Sequence, residues 1–351
     1  MTRKIVTRFS HLVTHPSFLP MRRFPLLSSL LFLAFALLLS LAIGSVFIPL
    51  KDIVAAIQGN GSELAENILW KIRLPRTVLI ALTGMALGGS GAAYQGLFRN
   101  PLADPYLIGI ASGAGLGAVV SMTVKWSYSF WGLMAIPLSA FVGALFTVIV
   151  VYSLARVGQT APVTNLILAG VAVSSFATSL MSFIMLRSDG ELRRAMSWLM
   201  GGAIQLGWTS VLAMLPYLVI GLGTLSLHGH ALNLLQFGDE QAQQLGLNVQ
   251  RTKKIILITS SLATAAAVSF AGIIGFIGLV VPHMMRLWFG GDYRRLIPLS
   301  ILAGATALLI SDVIARVVLA PQELPIGIVT ALAGAPFFLW ILRRTKTQGL
   351  W

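Results

Sequence analysis

The sequence predicts an all-α membrane protein with ten transmembrane helices, and three observations support that class. Of the 351 residues, 56% are hydrophobic and 10% are charged, whereas a soluble domain carries about 25% charged residues. The mean hydropathy is +0.85. Long uncharged stretches recur along the chain, and a helix needs about 20 apolar residues to cross a bilayer. Together these features exclude a soluble globular fold.

The first candidate span follows a basic head and resembles a secretory signal at first sight. Residues 24–50 form an uncharged stretch of 27 residues, whereas the apolar core of a signal peptide has about 7–15 residues. We therefore interpret the stretch as an uncleaved first helix. Nine further apolar segments predict the remaining helices: 77–98, 105–124, 126–155, 157–186, 195–238, 255–270, 276–289, 296–311 and 324–342.

The seventh and eighth predicted helices come from one uncharged run that glycines interrupt. Gly272, Gly275 and Gly278 divide residues 255–285, and we interpret the interruption as a boundary between two helices. A glycine-rich break is also compatible with a kink inside one helix, so hydropathy alone allows nine helices as well as ten.

The distribution of basic residues favours ten helices with both termini in the cytoplasm. Cytoplasmic loops carry an excess of Lys and Arg, and the basic end of the chain, 343–346, matches the basic head. Alternating the loops of ten helices places 16 of the 25 basic residues inside. The predicted regions are an N-terminal cytoplasmic tail at 1–23, a membrane domain at 24–345 and a C-terminal cytoplasmic tail at 346–351.

Nine basic residues fall outside in this topology, and three of them lie close together. Lys71, Arg73 and Arg76 precede the second predicted helix. An external basic cluster opposes the topology signal, so another function must favour it. A formal net charge of +14 would point to nucleic acid in a soluble protein, but here we attribute it to topology and docking and expect no nucleic acid.

Motifs for catalysis and nucleotide binding are absent from the sequence. It contains no G-x-x-x-x-G-K-[ST] loop, no H-E-x-x-H and no cysteine. We therefore expect no enzyme, no metal site and no cofactor in this chain.

One acidic residue lies well inside an apolar run. Asp312 has Arg316 one helical turn later, so a neutralising ion pair is the simplest interpretation. Ion-coupled transporters keep carboxylates at membrane depth, and the scarcity of such residues argues against that class.

Glycines concentrate in the second and third predicted helices, at 84–91 and 112–117. Small residues let helix backbones approach closely in a membrane. A translocation path that slides or opens would use the same residues, so the sequence leaves both interpretations open.

The longest polar interruption, residues 229–254, contains a predicted short helix. Asp239 is placed to cap its N-terminal amides, and Gly246 suits a left-handed C-terminal position. Ala242 and Leu245 would share one face. Because a helix of two turns is not stable alone in water, it packs either on this chain or in the groove of a soluble partner.

A set of longer motifs strongly resembles the permease family of bacterial ATP-binding-cassette (ABC) importers for iron-siderophores, haem and cobalamin, the FecCD family. The resemblance covers about residues 25–345. The motifs are Arg73-Leu-Pro-Arg76, Gly91-Ala-Ala-Tyr-Gln95, Arg99-Asn-Pro-Leu-Ala-Asp-Pro105, Leu107-Ile-Gly109, Ser112-Gly-Ala114, Gly238-Asp-Glu-Gln-Ala-Gln-Gln-Leu-Gly246, Gly275-Phe-Ile-Gly-Leu-Val-Val-Pro-His283 with Arg286, Glu323-Leu-Pro-Ile-Gly327 and Gly334-Ala-Pro336.

The resemblance implies a type II ABC importer permease in the bacterial plasma (inner) membrane, as a homodimer or a pair of permeases around a central path. Its implied partners are two cytoplasmic ATPase subunits, which bind ATP and Mg²⁺, and an external substrate-binding protein. The implied function is import of a ferric siderophore or haem by alternating access. Cobalamin is the alternative cargo, and an ion-coupled secondary transporter is the alternative of a different class.

The resemblance also implies roles for individual residues. Arg73, Arg76 and Arg316 would pair with carboxylates of the binding protein, a task that suits the planar guanidinium fork. The short helix would be the coupling helix that enters a cleft of the ATPase; its residues are Asp239, Glu240, Ala242, Leu245 and Gly246. Val163 and Thr164 would form the cytoplasmic gate, with valine where the family has a hydroxyl.

Overall fold

The helices of this chain are seen in a computed structural model that describes residues 24–44, 48–124, 126–127, 129–158, 160–187, 192–202 and 207–348. The predicted N-terminal tail, residues 1–23, lies outside the described residues, as do residues 349–351. Over the described ranges, the regular secondary structure is helical throughout. The all-α class predicted from the sequence is therefore confirmed.

Fifteen α-helices follow one another in the described part of the chain. They are α1 (Pro25–Ala42), α2 (Leu50–Ile57), α3 (Glu63–Asn67), α4 (Leu74–Leu97), α5 (Ile110–Met122), α6 (Phe130–Ala155), α7 (Val163–Arg187), α8 (Leu192–Leu199), α9 (Trp208–Leu227), α10 (Gly229–Leu235), α11 (Asp239–Gln244), α12 (Val249–Ala271), α13 (Ile277–Phe289), α14 (Tyr293–Val317) and α15 (Ile326–Gln348). A π-helical turn, Ile68–Arg73, joins α3 to α4, and a 3-10 turn, Pro105–Ile108, precedes α5.

Ten of these segments correspond to the predicted spans. Seven are long and apolar enough to cross a membrane: α1, the continuous segment Glu63–Leu97, α6, α7, α9, α12 and α14. Three shorter apolar helices complete the set: α5, α13 and Ile326–Ile341 of α15. The chain is therefore a multi-pass membrane protein.

The glycine-rich break is a boundary between two helices. The helix α12 ends at Ala271, and Gly272 adopts a left-handed φ of +77° that favours glycine. A Cβ at this position would also overlap the carbonyl oxygen of Trp198. The helix α13 begins only at Ile277. The interpretation as two helices is therefore confirmed, and the alternative of one kinked helix is not.

Several predicted boundaries were wrong. The uncharged run 195–238 holds α9, α10 and most of α8 rather than one helix. The helix α14 extends beyond 296–311 at both ends, and α15 continues beyond 324–342 to Gln348. Helix ends carry polar and charged residues because backbone hydrogen bonds do not require apolar side chains, and hydropathy misses them.

The helix α4 forms the centre of the bundle and is buried over most of its length. Gly84 faces Gly304 of α14, and Gly91 faces Gly278 of α13. A Cβ on Gly84 or Gly91 would overlap the facing carbonyl oxygen. Close backbone packing is thus the function of these glycines in this fold.

The packing of α4 against α14 defines two ends of the bundle. At one end, the start of α4 meets the end of α14 and the end of α1; this end is called the arginine face, after Arg73, Arg76 and Arg316. At the other end, the end of α4 and the start of α14 contact α10. This end is called the short-helix face, after α10 and α11. Twenty-five helical residues separate the faces by about 37 Å.

Candidate docking and coupling sites

Asp312 forms the centre of the arginine face. It is fully buried near the end of α14. Its Oδ1 accepts hydrogen bonds from Arg76 Nε at 3.1 Å and Arg76 Nη2 at 2.9 Å, and its Oδ2 lies 2.9 Å from Arg316 Nε on the same helix. The predicted Asp312–Arg316 ion pair is confirmed, and Arg76 is a second partner that the sequence did not indicate.

Two of the arginines cap the C-terminal end of α1. Arg316 donates hydrogen bonds to the carbonyl oxygen of Ser40 at 3.2 Å and to its Oγ at 3.0 Å. Arg73 Nη1 donates to the carbonyl oxygens of Leu41 at 2.6 Å and Ala42 at 3.0 Å. The last carbonyls of a helix lack intrahelical partners and favour a nearby cation. Arg73 and Arg316 therefore hold α1, α4 and α14 together.

Arg76 reaches the edge of this cluster. Its Nη1 donates to Glu323 Oε2 at 2.6 Å. The side chain of Glu323 is 41% exposed, that of Arg76 is 12% exposed and that of Asp312 is 0% exposed. The three arginines and two carboxylates together carry one net positive charge. Within this cluster, the Arg76–Glu323 pair lies nearest to solvent.

The structure brings the three predicted docking arginines together, although the carboxylates beside them belong to this chain. Their binding to a partner stays a prediction. Sequence reasoning missed Glu323 and Ser40 as members of the cluster. Glu323 lies in a motif of the resemblance, but its contact with Arg76 spans 247 positions, and no local pattern indicates such a pair.

At the short-helix face, α11 ends as the sequence predicts. Gly246 has a φ of +87°. Its N–H donates to the carbonyl oxygen of Gln243 at 2.9 Å, and the N–H of Leu247 donates to that of Ala242 at 3.0 Å. This pair of bonds is a Schellman motif. The left-handed C-terminal position predicted for Gly246 is confirmed.

The start of α11 differs from the prediction. The N-cap is Gly238, with a φ of +106°, and no side chain caps the helix. Asp239 pairs instead with Lys253 of α12 and lies 3.9 Å from Arg99 Nη2. The predicted capping role of Asp239 was wrong, because cations from two neighbouring segments attract its carboxylate more strongly than the exposed amides of a six-residue helix.

The surface of α11 is divided between the bundle and the outside. Ala242 is fully buried, whereas Leu245 is 62% exposed and Phe237, just before the helix, is 68% exposed. The sequence predicted that Ala242 and Leu245 share one face of the helix. They differ in burial instead, because Leu245 lies at the C-cap, where the chain turns away. Glu240 is also exposed. An exposed apolar pair at a helix this short is suited to contact with a partner protein.

The helix α10 is fastened to both α4 and α14. Asn233 donates to Asp292 Oδ1 at 2.6 Å and accepts from the N–H of Tyr293 at 2.9 Å. Gln236 donates to the carbonyl oxygen of Gly96 at 3.0 Å. Hydrogen bonds from Arg294 and then from Asn233 hold the pKa of Asp292 below its ordinary value. These bonds connect α10 to the ends of α4 and α14.

The predicted gate residues lie at the start of α7. Val163 packs partly buried against the bundle, while Thr164 is exposed. The helix α7 is exposed over much of its length, and its exposed hydroxyl residues fall on one stripe at helical spacing: Thr164, Ser175, Thr178, Ser179 and Ser182. Several of these hydroxyls donate to carbonyls one turn earlier.

Within the described ranges, no three side chains among His, Asp and Glu lie close enough to hold a metal ion. The fold and the two sites are those of a membrane permease that has a charged cluster at one end and a structured short helix at the other.

The chain belongs to the FecCD transport family, whose family model matches residues 32–344. It is 44% identical over 296 residues to the cobalamin import permease BtuC of Halobacterium salinarum. The aligned stretch covers 84% of this chain and 79% of the relative. It is 40% identical over 324 residues to the hemin transport permease HmuU of Yersinia pestis, covering 89% and 94%.

The fold also matches a solved structure. A metal-chelate type ABC transporter in an inward-facing conformation superposes with a TM-score of 0.81 at 29% identity, covering 91% of this chain and 98% of that chain. The family and the fold agree, so the chain is a membrane-spanning permease of the ABC importer type.

Proposed function

We propose that this chain carries an iron chelate, a ferric siderophore or haem, from an external substrate-binding protein into the cytoplasm, driven by two partner ATPases. One observation carries the proposal: the arginine face and the short-helix face lie at opposite ends of the same two packed helices, α4 and α14. Such an arrangement connects the surface that would bind the substrate-binding protein outside with the surface that would bind the ATPase inside. In this orientation both chain termini are cytoplasmic and the membrane is the bacterial plasma membrane.

The arginine face is proposed as the docking surface for the binding protein. Arg76 makes the direct contact, since its guanidinium is the one paired with the exposed Glu323. Arg73 and Arg316 are buried and bonded to α1, so they act by holding Arg76 and α1 in place. Net positive charge at this end favours an acidic lobe on the partner.

The short helix α11 is proposed as the coupling helix. Leu245, Phe237 and Glu240 face outward from the bundle, and a helix in a groove is a common form of protein recognition. Ala242 anchors the helix to the bundle, and Gly246 ends it. Contact with the ATPase through this surface supplies the energy that the chain cannot obtain from a nucleotide site of its own.

The exposed stripe on α7 is proposed as part of a central path shared with a second permease, in a homodimer. Small and hydroxyl-bearing residues are enriched where membrane helices pack against one another, which favours a second permease on this face. Thr164 lies at the end of this stripe nearest to Lys253 and the short-helix face, which supports a cytoplasmic gate at Val163 and Thr164.

Cobalamin is the second candidate cargo, because a relative named for cobalamin is as similar as the one named for hemin. An ion-coupled secondary transporter is the competing mechanism. It requires a vacant carboxylate at membrane depth, whereas two arginines neutralise the buried Asp312. The geometry therefore favours an ATP-driven mechanism.

The test is transport by the purified permease in proteoliposomes with its ATPase subunits inside and its binding protein outside. Uptake of ⁵⁵Fe-siderophore, hemin and ⁵⁷Co-cobalamin is measured in parallel. We expect uptake of an iron chelate that requires ATP and stops with an ATPase variant unable to hydrolyse it. Uptake driven by an ion gradient without ATPase subunits would contradict the mechanism, and uptake of cobalamin alone would contradict the cargo.

A further inference from the structure

The guanidinium of Arg76 has two partners in different surroundings. Nε and Nη2 both donate to Asp312 Oδ1, whereas Nη1 donates to Glu323 Oε2. Asp312 is wholly buried, and Glu323 lies in the exposed loop between α14 and α15. The first contact is therefore built into the bundle, and the second lies at the water boundary.

The two contacts differ in how readily they break. Separating Arg76 from Asp312 would leave a charge buried without its partner, which is strongly unfavourable. Separating Arg76 from Glu323 costs less, because the carboxylate of Glu323 already reaches water and Arg76 keeps its bonds to Asp312. Another carboxylate that approaches from outside can therefore replace Glu323 without disturbing Asp312.

We propose that Glu323 is an internal stand-in for the docking carboxylate: it occupies Arg76 in the undocked permease and is displaced by an acidic side chain of the substrate-binding protein. This inference rests on the proposed docking function of the arginine face. It assigns Glu323 a regulatory role, since the exchange weakens docking and so favours release of the binding protein after each cycle.

The neighbouring geometry permits such an exchange. The N–H of Leu324 donates to the carbonyl oxygen of Ala315 at 3.0 Å, which holds the loop at its base. Residues 317–323 are exposed, so the side chain of Glu323 can turn toward solvent while the loop keeps its place. Asp312, which accepts from both Nε and Nη2, keeps the guanidinium of Arg76 oriented throughout.

The experiment measures the affinity of fluorescently labelled binding protein for the complete permease–ATPase complex in nanodiscs. We expect Glu323→Gln to tighten binding about two- to five-fold, the range that loss of an exposed competing ion pair allows. The matched control is Glu63→Gln, which removes an equal charge from an exposed site on α3 and should leave the affinity unchanged. Unchanged or weaker binding by Glu323→Gln would overturn the exchange.

A double-mutant cycle separates exchange from simple repulsion between Glu323 and an acidic partner. In an Arg76→Gln background, exchange predicts no further effect of Glu323→Gln, whereas tightening that persists there would overturn it. If Arg76→Gln fails to fold, Arg76→Lys is used, which keeps the charge but not the fork; exchange then predicts that Glu323→Gln tightens binding less in this background than in the unmodified permease. If neither Arg76 variant weakens binding, the proposed docking function itself is wrong; if they weaken it and Glu323→Gln does not tighten it, only the exchange is wrong.

Discussion

Asp312 is the residue on which the arginine face depends, because two guanidinium groups share it as their buried counter-charge. Its two oxygens are divided between Arg76 of α4 and Arg316 of α14. Arg316 in turn reaches Ser40 at the end of α1. One carboxylate therefore joins three helices, and its contribution is structural before it is functional.

Replacing Asp312 by asparagine is expected to lower the stability of the permease sharply. The buried Arg316 would lose its paired carboxylate and Arg76 would keep only Glu323, and breaking a buried ion pair costs about 3 to 5 kcal/mol. The melting temperature of the detergent-solubilised protein measures the effect. Glu323→Gln is the control, because it removes a carboxylate that contacts the same Arg76 in an exposed site and should cost at most about 1 kcal/mol. Equal melting temperatures for the two variants would contradict the structural role of Asp312.

At the scale of elements, α10 connects the short helix to the spans. Asn233 bonds reciprocally with the N-terminus of α14, where Asp292 is the N-cap. Gln236 bonds with the end of α4. If α11 is the coupling helix as proposed, these contacts offer a second route to the bundle through α10, beside the direct pair of Asp239 with Lys253 of α12.

The Asn233–Asp292 contact is expected to be insensitive to pH over the physiological range. A carboxylate with a depressed folded pKa stabilises the fold above its unfolded pKa, near 3.9, and loses that effect only as pH falls through the lower folded value. Hydrogen exchange of residues 229–244, corrected for intrinsic rates, should therefore be equal at about pH 5 and 8. Asp292→Ala should raise exchange at both values, while Glu240→Gln should not. Faster exchange of the unmodified protein at pH 5 would contradict this assignment.

At the scale of the whole molecule, α7 is the span that the single chain leaves most open. Of the 18 residues that form its most apolar stretch, 17% are buried, compared with 83% in the corresponding stretch of Glu63–Leu97. Its exposed face carries the hydroxyl stripe, whereas the exposed face of α6 is apolar, with Phe146 and Ile149. Under the proposed function, α7 would face a path or a second copy, and α6 would face lipid.

Cysteine accessibility tests this difference on a clean background, because the chain has no cysteine of its own. We expect Ser179→Cys to react with a small water-soluble methanethiosulfonate in the assembled transporter, since the reactive thiolate forms only where water reaches it. Ile149→Cys, exposed on α6, should react far more slowly. Equal rates at the two positions would contradict a polar path along α7.

Local patterns predicted the presence of the apolar spans and the end of α11 correctly, because both depend on a few neighbouring residues, whereas several helix ends were placed wrongly. A span is recognised by the length of its apolar run, and Gly246 by its ability to adopt a left-handed conformation. The start of α11 could not be predicted in this way. Asp239 has the chemistry of a cap, but Lys253 and Arg99 reach it from other segments, and their distance from it depends on packing.

The sequence by itself determined the class of this protein: an all-α membrane bundle without a nucleotide site, with a basic cluster that its topology does not explain. Only the tertiary structure decided which charges meet. Arg76 and Asp312 are 236 positions apart, and they pair because close packing of glycine faces fixes how α4 and α14 are rotated and aligned. Rotation and alignment of packed helices depend on shape complementarity along their whole length, which no local stretch of sequence records.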